Sequence, residues 1–279
     1  MNVISLFNGM GTLRQAFSDL NIKIDKYYSS EIKPYAIELQ QHHFSDVIQV
    51  GDINNWKQWD IDWKSIDFIG SGSPCQDLSA AGKRAGIHGS RSNLFFTFVE
   101  ILKKVKELNP NVIFLQENVG SAPKLDVGIM SRALGVYPVR INSKLLTSQL
   151  RDRYYWTNLR TKKTMFDVVT DIPQPKDLKI ELNDIVTSGK ADTSKHTCLN
   201  TGSGTGRTQR CLLHRNDTTG MLTLIYDNNE YRTCNKIEMC RMQGFDDDYC
   251  DILTQPKAGS LLGDGWTLPI IKHILKYMK

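Results

Sequence analysis

One cysteine of the chain stands where a thiol could act as a nucleophile. Cys75 follows the apolar run 66–69 and lies at the end of the sequence Gly-Ser-Gly-Ser-Pro-Cys. Glycine permits tight turns and proline fixes φ, so these residues predict a rigid turn at a strand end that presents the thiol. A small buried cysteine that closes a strand is the alternative interpretation, and this segment alone does not decide between the two.

Charged residues farther along the chain could complete a reactive centre around this thiol. Glu117 follows the apolar run 112–116, which predicts a buried strand. Arg151 and Arg153 lie in the segment 147–156, where polar and aromatic residues alternate as they do in strands. Two arginines that are two residues apart on a strand face the same side, and Glu117, like Cys75, falls at the end of a predicted strand.

These residues need a scaffold, and the spacing of apolar residues predicts an α/β fold. Strand-like runs at 3–7, 26–31, 47–53, 66–69 and 112–116 alternate with helix-like segments, of which the amphipathic stretch 94–108 is the clearest. Such alternation predicts a doubly wound, mostly parallel sheet with its site at the carboxyl ends of the strands. Glu31, Asp52, Cys75 and Glu117 all fall at predicted strand ends, so we expect them to converge.

The first strand ends in a glycine turn that suits a nucleotide-like ligand. Gly9 and Gly11 separate it from a helix-compatible segment, and Glu31 follows about 20 residues later, where this class of fold binds ribose hydroxyls. Asp52 and Ile53 end the third run, where an acid could accept from an adenine amino group and an apolar side chain could pack on the ring. Ordinary strand-terminal acids are the alternative interpretation.

The charge distribution favours a polyanionic partner. The 279 residues carry a net charge of +5. Seven basic residues against one acid occupy 140–163, and Lys83, Arg84 and Arg91 occupy 79–93 without an acid. Solvated surface is the usual explanation of such runs, but two of them on either side of other candidate site residues favour phosphate contacts.

Cysteine spacing and hydropathy argue against several other classes. The six cysteines form no C-x-x-C pair, so we expect neither a disulfide framework nor a metal site. No run reaches the roughly 18 to 20 apolar residues of a membrane span, and the first residues lack the pattern of a signal peptide. We therefore expect a cytoplasmic protein with no membrane partner.

The middle of the chain predicts a small separate lobe. From 160 to 230, prolines and the glycine-rich string 202–206 interrupt the pattern, and no segment predicts a convincing helix. Helix-like periodicity returns at 235–242 and 268–278. We expect a catalytic and cofactor-binding domain over 1–159, an irregular target-recognition lobe over 160–230, and a return to the first domain over 231–279.

Seven motifs, in order, resemble those of the cytosine-C5 DNA methyltransferase family in its compact bacterial or phage form, and some features resemble the eukaryotic de novo branch. They cover 1–160 and 231–279 but not the lobe between. Two positions depart from the usual motifs of the family. Asn8 replaces a small residue or Asp, and Asp-Gly-Trp at 264–266 replaces Asn-Ser-Val. The motifs are 5–11 (SLFNGMG), 72–79 (GSPCQDLS), 91–96 (RSNLFF), 117–119 (ENV), 149–153 (QLRDR), 240–245 (CRMQGF) and 263–266 (GDGW).

The resemblance implies a Rossmann-like class I methyltransferase fold, S-adenosylmethionine as cofactor, and DNA (cytosine-5-)-methyltransferase activity. It implies that Cys75 adds to C6 of a flipped-out cytosine in double-stranded DNA while Glu117, held protonated or sharing a proton with N3, withdraws charge from the ring. C5 then takes the methyl group, and loss of its proton expels Cys75. Arg153 would hold the cytosine O2, and Arg151 the loop or a phosphate.

Binding residues follow from the same resemblance and from the charge pattern. The segment 79–93 would close over the flipped-out base. Trp266 would contact the cofactor, and packing in the protein core is the alternative interpretation for this residue. The expected cofactor-binding residues are Phe7, Gly9, Met10, Gly11, Glu31, Asp52, Ile53, Pro74, Leu94 and Trp266. The expected DNA-binding residues are Gln76, Ser79, Lys83, Arg84, Arg91, Gln149 and Arg207.

Two other functions stay in consideration, transfer RNA methylation and a catalytically inactive DNA-binding scaffold. The RNA branch typically carries Cys-Phe-Thr in its target lobe, where this chain has Cys-Leu-Asn at 198–200. Retention of Cys75, Glu117 and Arg153 argues against the scaffold. We expect a monomer that binds double-stranded DNA. Its recognition sequence is open, as is the choice between a restriction-modification enzyme and an orphan or phage enzyme.

Overall fold

A seven-stranded sheet forms the centre of the fold in the computed structural model, which describes residues 1–74, 93–203, 209–219 and 222–278. The strands within these ranges are β1 (Asn2–Leu6), β2 (Lys26–Ser30), β3 (Val47–Gln49), β4 (Ile66–Ser71), β5 (Ile113–Val119), β6 (Val139–Asn142) and β7 (Asp152–Thr157). Their order across the sheet is β3-β2-β1-β4-β5-β7-β6. Neighbours from β3 to β5 pair in parallel, and β5 pairs with β7 in the antiparallel sense.

Helices cover both faces of this sheet. Phe17 packs edge-on against Phe68 of β4, with ring centroids 5.3 Å apart. Ile69 faces the opposite way, because side chains alternate along a strand, and joins a buried cluster with Phe98 and Met130. The helices that carry these residues or connect the strands are α1 (Thr12–Asp19), α2 (Pro34–His43), α3 (Asn93–Leu108) and α4 (Lys124–Leu134). The predicted doubly wound, mostly parallel sheet and the predicted helix 94–108 are confirmed.

Short elements fill the remainder of the described chain. They are β8 (Thr161–Lys163), β9 (Val168–Thr170), β10 (Lys190–Ala191), α5 (Gln209–Thr219), β11 (Ile225–Asp227), β12 (Glu230–Arg232), α6 (Lys236–Gln243), α7 (Gln255–Asp264) and α8 (Leu268–Leu275). The expectation of no convincing helix between 160 and 230 is wrong, because α5 lies there. Its apolar residues are bunched at Cys211, Leu212 and Leu213 instead of recurring every three or four positions, so periodicity could not reveal it.

The chain divides into two compact units. The first comprises Met1–Ile141, Asp152–Gln174 and Lys272–Lys279, and the second comprises Asn142–Arg151 and Pro175–Ile271. The predicted division at 159 and 230 concerns functional roles and stays a prediction. None of the helices in the described ranges combines the length and the apolar composition needed to cross a membrane.

Candidate active site

Two of the four predicted catalytic residues form an ion pair on neighbouring strands of the first unit. The register of β5 and β7 places Glu117 opposite Tyr155 and Val119 opposite Arg153, so Glu117 and Arg153 are diagonal neighbours. The Arg153 Nε lies 2.8 Å from the Glu117 Oε1, and the two side chains are only 13% and 10% exposed. Each charge compensates the other in this partly desolvated place, which holds both groups in fixed positions.

The turn that leads to Cys75 is anchored to the same strand. The Ser73 Oγ accepts hydrogen bonds from the Gln116 Nε2 at 2.9 Å and from the Asn118 Nδ2 at 3.4 Å. Gln116 and Asn118 flank Glu117 on β5, so one strand positions the carboxylate and the start of the turn. Sequence reasoning missed this role, although a glutamine in the otherwise apolar start of β5 was a signal for it.

Several predicted site residues lie outside the described residues. They are Cys75, Gln76, Ser79, Lys83, Arg84, Arg91 and Arg207. Pro74, the last described residue before the first gap, is half-buried. The roles assigned to these residues stay predictions.

Arg151 and Gln149 lie in the interior of the second unit. Arg151 is 3% exposed, and its guanidinium donates to the carbonyl oxygens of Leu199, Gly263 and Gly265 at 3.1, 3.1 and 2.7 Å. The side chain of Gln149 is fully buried and donates to the Met242 carbonyl at 2.9 Å and to Gln243 at 3.0 Å. Both side chains therefore hold protein loops in place, and their parts in catalysis and DNA binding stay predictions.

The glycine turn after β1 meets Glu31 directly. Phe7, Gly9 and Gly11 have φ values of +56°, +56° and +84°, a left-handed turn that favours glycine at two of its positions. The Gly9 N–H donates to the Glu31 Oε2 at 2.7 Å, and the Glu31 Oε1 accepts from the next two backbone N–H groups at 2.8 and 3.0 Å. Since a carboxylate offers about four lone-pair sites, Oε2 keeps capacity for a ligand hydroxyl.

The other predicted cofactor residues supply an acid and apolar surface. Asp52 caps a short 3-10 helix by accepting from the Asn54 N–H at 2.9 Å, and it is half-buried. Phe7 and Leu94 pack on the core of the first unit, and Met10 and Ile53 are buried. Trp266 is half-buried in the second unit, and its role stays a prediction. Carboxylates for hydroxyl and amino groups beside apolar side chains fit the chemistry of an adenosyl group.

In the portion of the chain that the structure describes, no three His, Cys, Asp or Glu side chains are grouped so as to hold a metal ion.

Comparisons with known proteins find similarity to methyltransferases. Residues 1–132 match the family model described as C-5 cytosine-specific DNA methylase. The orphan methyltransferase M.SPRI of Bacillus phage SPR is 33% identical over 57% of this chain and 38% of its own length. The type II methyltransferase M1.ScrFI of Lactococcus lactis subsp. cremoris is 26% identical over 99% of this chain and 77% of its own length. The chain thus spans well under half the length of the phage relative.

Solved structures share the fold across the chain. The Schizosaccharomyces pombe Dnmt2 methyltransferase superposes with a TM-score of 0.64 at 16% identity, covering 100% of this chain and 98% of that one. The Entamoeba histolytica methyltransferase EhMeth gives a TM-score of 0.65 at 16% identity, with 100% and 97% coverage. The fold is therefore the one that these two methyltransferases have. Over residues 1–132 the chain resembles the C-5 cytosine-specific DNA methylases, and the sequence relatives named above are methyltransferases.

Proposed function

We propose that the chain is a DNA (cytosine-5-)-methyltransferase that uses S-adenosylmethionine and acts on a flipped-out cytosine in double-stranded DNA. The observation that carries the proposal is the ion pair that Arg153 forms with Glu117, whose strand β5 also anchors the turn leading to Cys75. A fixed carboxylate, a fixed guanidinium and a thiol presented two residues beyond Ser73 make up a set suited to addition at a pyrimidine ring.

The ring of cytosine is a poor electrophile, so both partners of the addition need help. A free cysteine is only a few per cent thiolate at neutral pH, and the proposed nucleophile is the thiolate of Cys75 adding to C6. Glu117 shares a proton with N3 and thereby withdraws electron density from the ring. Arg153 holds O2 and fixes Glu117 at the same time. After methylation, loss of the C5 proton restores the double bond and expels Cys75.

The proposed cofactor site is the turn 7–11 with Glu31, Asp52 and Ile53. Glu31 would accept from the ribose hydroxyls, Asp52 would accept from the adenine amino group, and Phe7, Ile53 and Leu94 would pack on the adenine. When bound there, S-adenosylmethionine supplies an electrophilic methyl group.

DNA binding is proposed for the basic segment 79–93 and for the lobe 160–230. The target base cannot react inside the stack, and extruding it costs about a few kcal/mol, which phosphate contacts must offset. Lys83, Arg84 and Arg91 are the residues proposed for those contacts.

Transfer of labelled methyl groups from S-adenosylmethionine to duplex DNA and, in parallel, to transfer RNA tests this function. We expect label in DNA, none after Cys75→Ala, and full transfer after Cys250→Ala, which removes a buried thiol outside the lobe 160–230. Label in transfer RNA alone would show that the substrate is RNA and would leave the proposed reaction mechanism unchanged. Label in neither polymer would contradict the proposal and favour a DNA-binding scaffold.

A further inference from the structure

A buried polar side chain holds the same glycine that Glu31 contacts. Gln40 lies on α2 and is fully buried, and its Nε2 donates to the carbonyl oxygen of Gly9 at 2.5 Å. The N–H of the same glycine donates to Glu31 at 2.7 Å. Both polar groups of Gly9 are therefore fixed by side chains distant in sequence.

Gln40 is itself fixed by a chain of hydrogen bonds beneath the turn. Its Oε1 accepts from the Ser29 Oγ at 2.7 Å and from the Gln49 Nε2 at 2.8 Å. The Ser29 Oγ accepts from the Asn8 Nδ2 at 3.0 Å. Asn8 in turn accepts from the Ser5 Oγ at 2.7 Å and from the Tyr27 hydroxyl at 2.9 Å. In such a buried network each member limits the orientation of the next.

We propose that Gln40 is a positioning residue for cofactor binding, coupled through Ser29 to Asn8. The inference rests on the proposed function, because it takes the turn 7–11 and Glu31 as the cofactor site. Phe7 adopts a left-handed conformation that is unfavourable for a non-glycine residue, so the turn keeps this shape only while its surroundings impose it.

Loss of Gln40 would free the Gly9 carbonyl to rotate toward another donor. The peptide that carries this carbonyl joins Gly9 to Met10, so its rotation changes the ψ angle of Gly9. A compensating change in the φ angle of Gly9 would displace the Gly9 N–H from Glu31, and the carboxylate would lose the contact that orients it. The turn would then have to become ordered when the cofactor binds, and this cost weakens the affinity for the cofactor. The reacting groups at Cys75, Glu117 and Arg153 would stay unchanged.

Calorimetric binding of S-adenosylhomocysteine to the full chain, combined with methyl-transfer kinetics on duplex DNA, tests this role. In Gln40→Met, we expect the Kd and the KM for the cofactor to rise about tenfold, the effect of one lost hydrogen bond, while kcat at saturating cofactor changes by less than about twofold. The matched control is Gln41→Met, the next residue of the same helix, which is exposed and should leave both constants unchanged.

Two further variants separate positioning from folding. Gln40→Glu keeps the size and the acceptor for Ser29 but places an oxygen against the Gly9 carbonyl, so it should weaken binding even if Gln40→Met does not fold. In the double variant of Asn8→Ala with Gln40→Met, we expect a smaller rise in Kd than the product of the two single rises, because the residues share one network.

Unchanged cofactor affinity in both Gln40 variants, with the wild-type protein binding normally, would overturn this inference alone. If the wild-type protein itself bound no S-adenosylhomocysteine, the proposed function would fail and the inference with it. A lower unfolding temperature with an unaltered KM would mean that Gln40 only stabilises the fold, which also contradicts the proposal.

Discussion

At the scale of single residues, the pairing of two strands brings the charged side chains of Glu117 and Arg153 into contact. Neither side chain is exposed enough for solvent to screen its charge fully, so each depends on the other for compensation. Arg140 and Asp152 form a comparable pair by type, but their side chains are 54% and 33% exposed. Replacing the arginine by methionine should therefore change activity and stability more in the largely buried pair than in the more exposed pair.

We expect Arg153→Met to lower the rate of methyl transfer about 10²- to 10³-fold, the usual effect of removing one aligned polar group from a reaction centre. It should also reduce the free energy of unfolding by about 3 kcal/mol, because Glu117 stays behind without its partner. Single-turnover transfer and urea unfolding measure the two effects.

Arg140→Met is the matched control, since an exposed pair contributes only about 0 to 1 kcal/mol. Equal activity and stability in the two variants would show that the ion pair of Glu117 and Arg153 has no special role.

At the scale of secondary-structure elements, helix ends decide how tightly neighbouring segments approach. Gly244 ends α6 with φ +82°, and a Cβ there would lie 2.3 Å from the Pro269 side chain. Gly135 ends α4 with φ +75°, but a Cβ there would meet no atom within 4 Å. The two glycines share a backbone conformation and differ in the space around them.

Gly135→Ala should cost about 1 kcal/mol of stability, the strain of a left-handed alanine. Gly244→Ala should cost roughly 2 to 4 kcal/mol, because overpacking against Pro269 adds to the same strain. Urea unfolding of both variants checks the difference, and equal losses would mean that Pro269 moves aside freely.

A histidine in the second unit gives stability a dependence on pH. His196 is buried beside the segment 148–150, with its backbone hydrogen-bonded to Ser148 and Leu150. Burial lowers the pKa of this imidazole from its ordinary value of 6.5. The unfolded chain therefore takes up the proton first as the pH falls, and the folded state loses stability below about pH 6.5.

The urea midpoint of the wild-type protein should consequently drop more between pH 7.5 and pH 5 than that of His196→Gln, which has no imidazole to protonate. Parallel midpoints for the two proteins would contradict this assignment.

At the scale of the whole molecule, the basic residues should act through phosphate contacts that weaken with salt. Lys83 belongs to the segment that follows the carboxyl end of β4. Lys26 is exposed and begins β2, so it lies at the amino ends of the parallel strands, opposite the ends that form the proposed site. A charge near the proposed site should matter for DNA binding, and a charge at the opposite ends of the strands should not.

We expect Lys83→Gln to make the slope of log K against log salt shallower by about 0.9, the value for one lost phosphate contact. Lys26→Gln should leave the slope unchanged. Binding of a duplex over a series of salt concentrations measures both slopes, and equal slopes in the two variants would remove Lys83 from the DNA contacts.

The sequence by itself determined the strands β1 to β5 of the sheet and the long helix predicted over 94–108. These features follow from local rules: apolar runs form buried strands, periods of three to four residues form helices, and glycine permits left-handed turns. Glu31 at the end of β2 and the glycine turn after β1 were predictable for the same reason.

Only the tertiary structure decided which polar groups meet. The bond of Gln40 to Gly9 joins residues 31 positions apart, and the ion pair of Glu117 with Arg153 depends on the register of two strands. No local pattern marks such partners, because a buried polar side chain and an exposed one look alike in sequence. Their selection comes from the requirement that every buried polar group find a partner, and only the packed chain determines which partner is within reach.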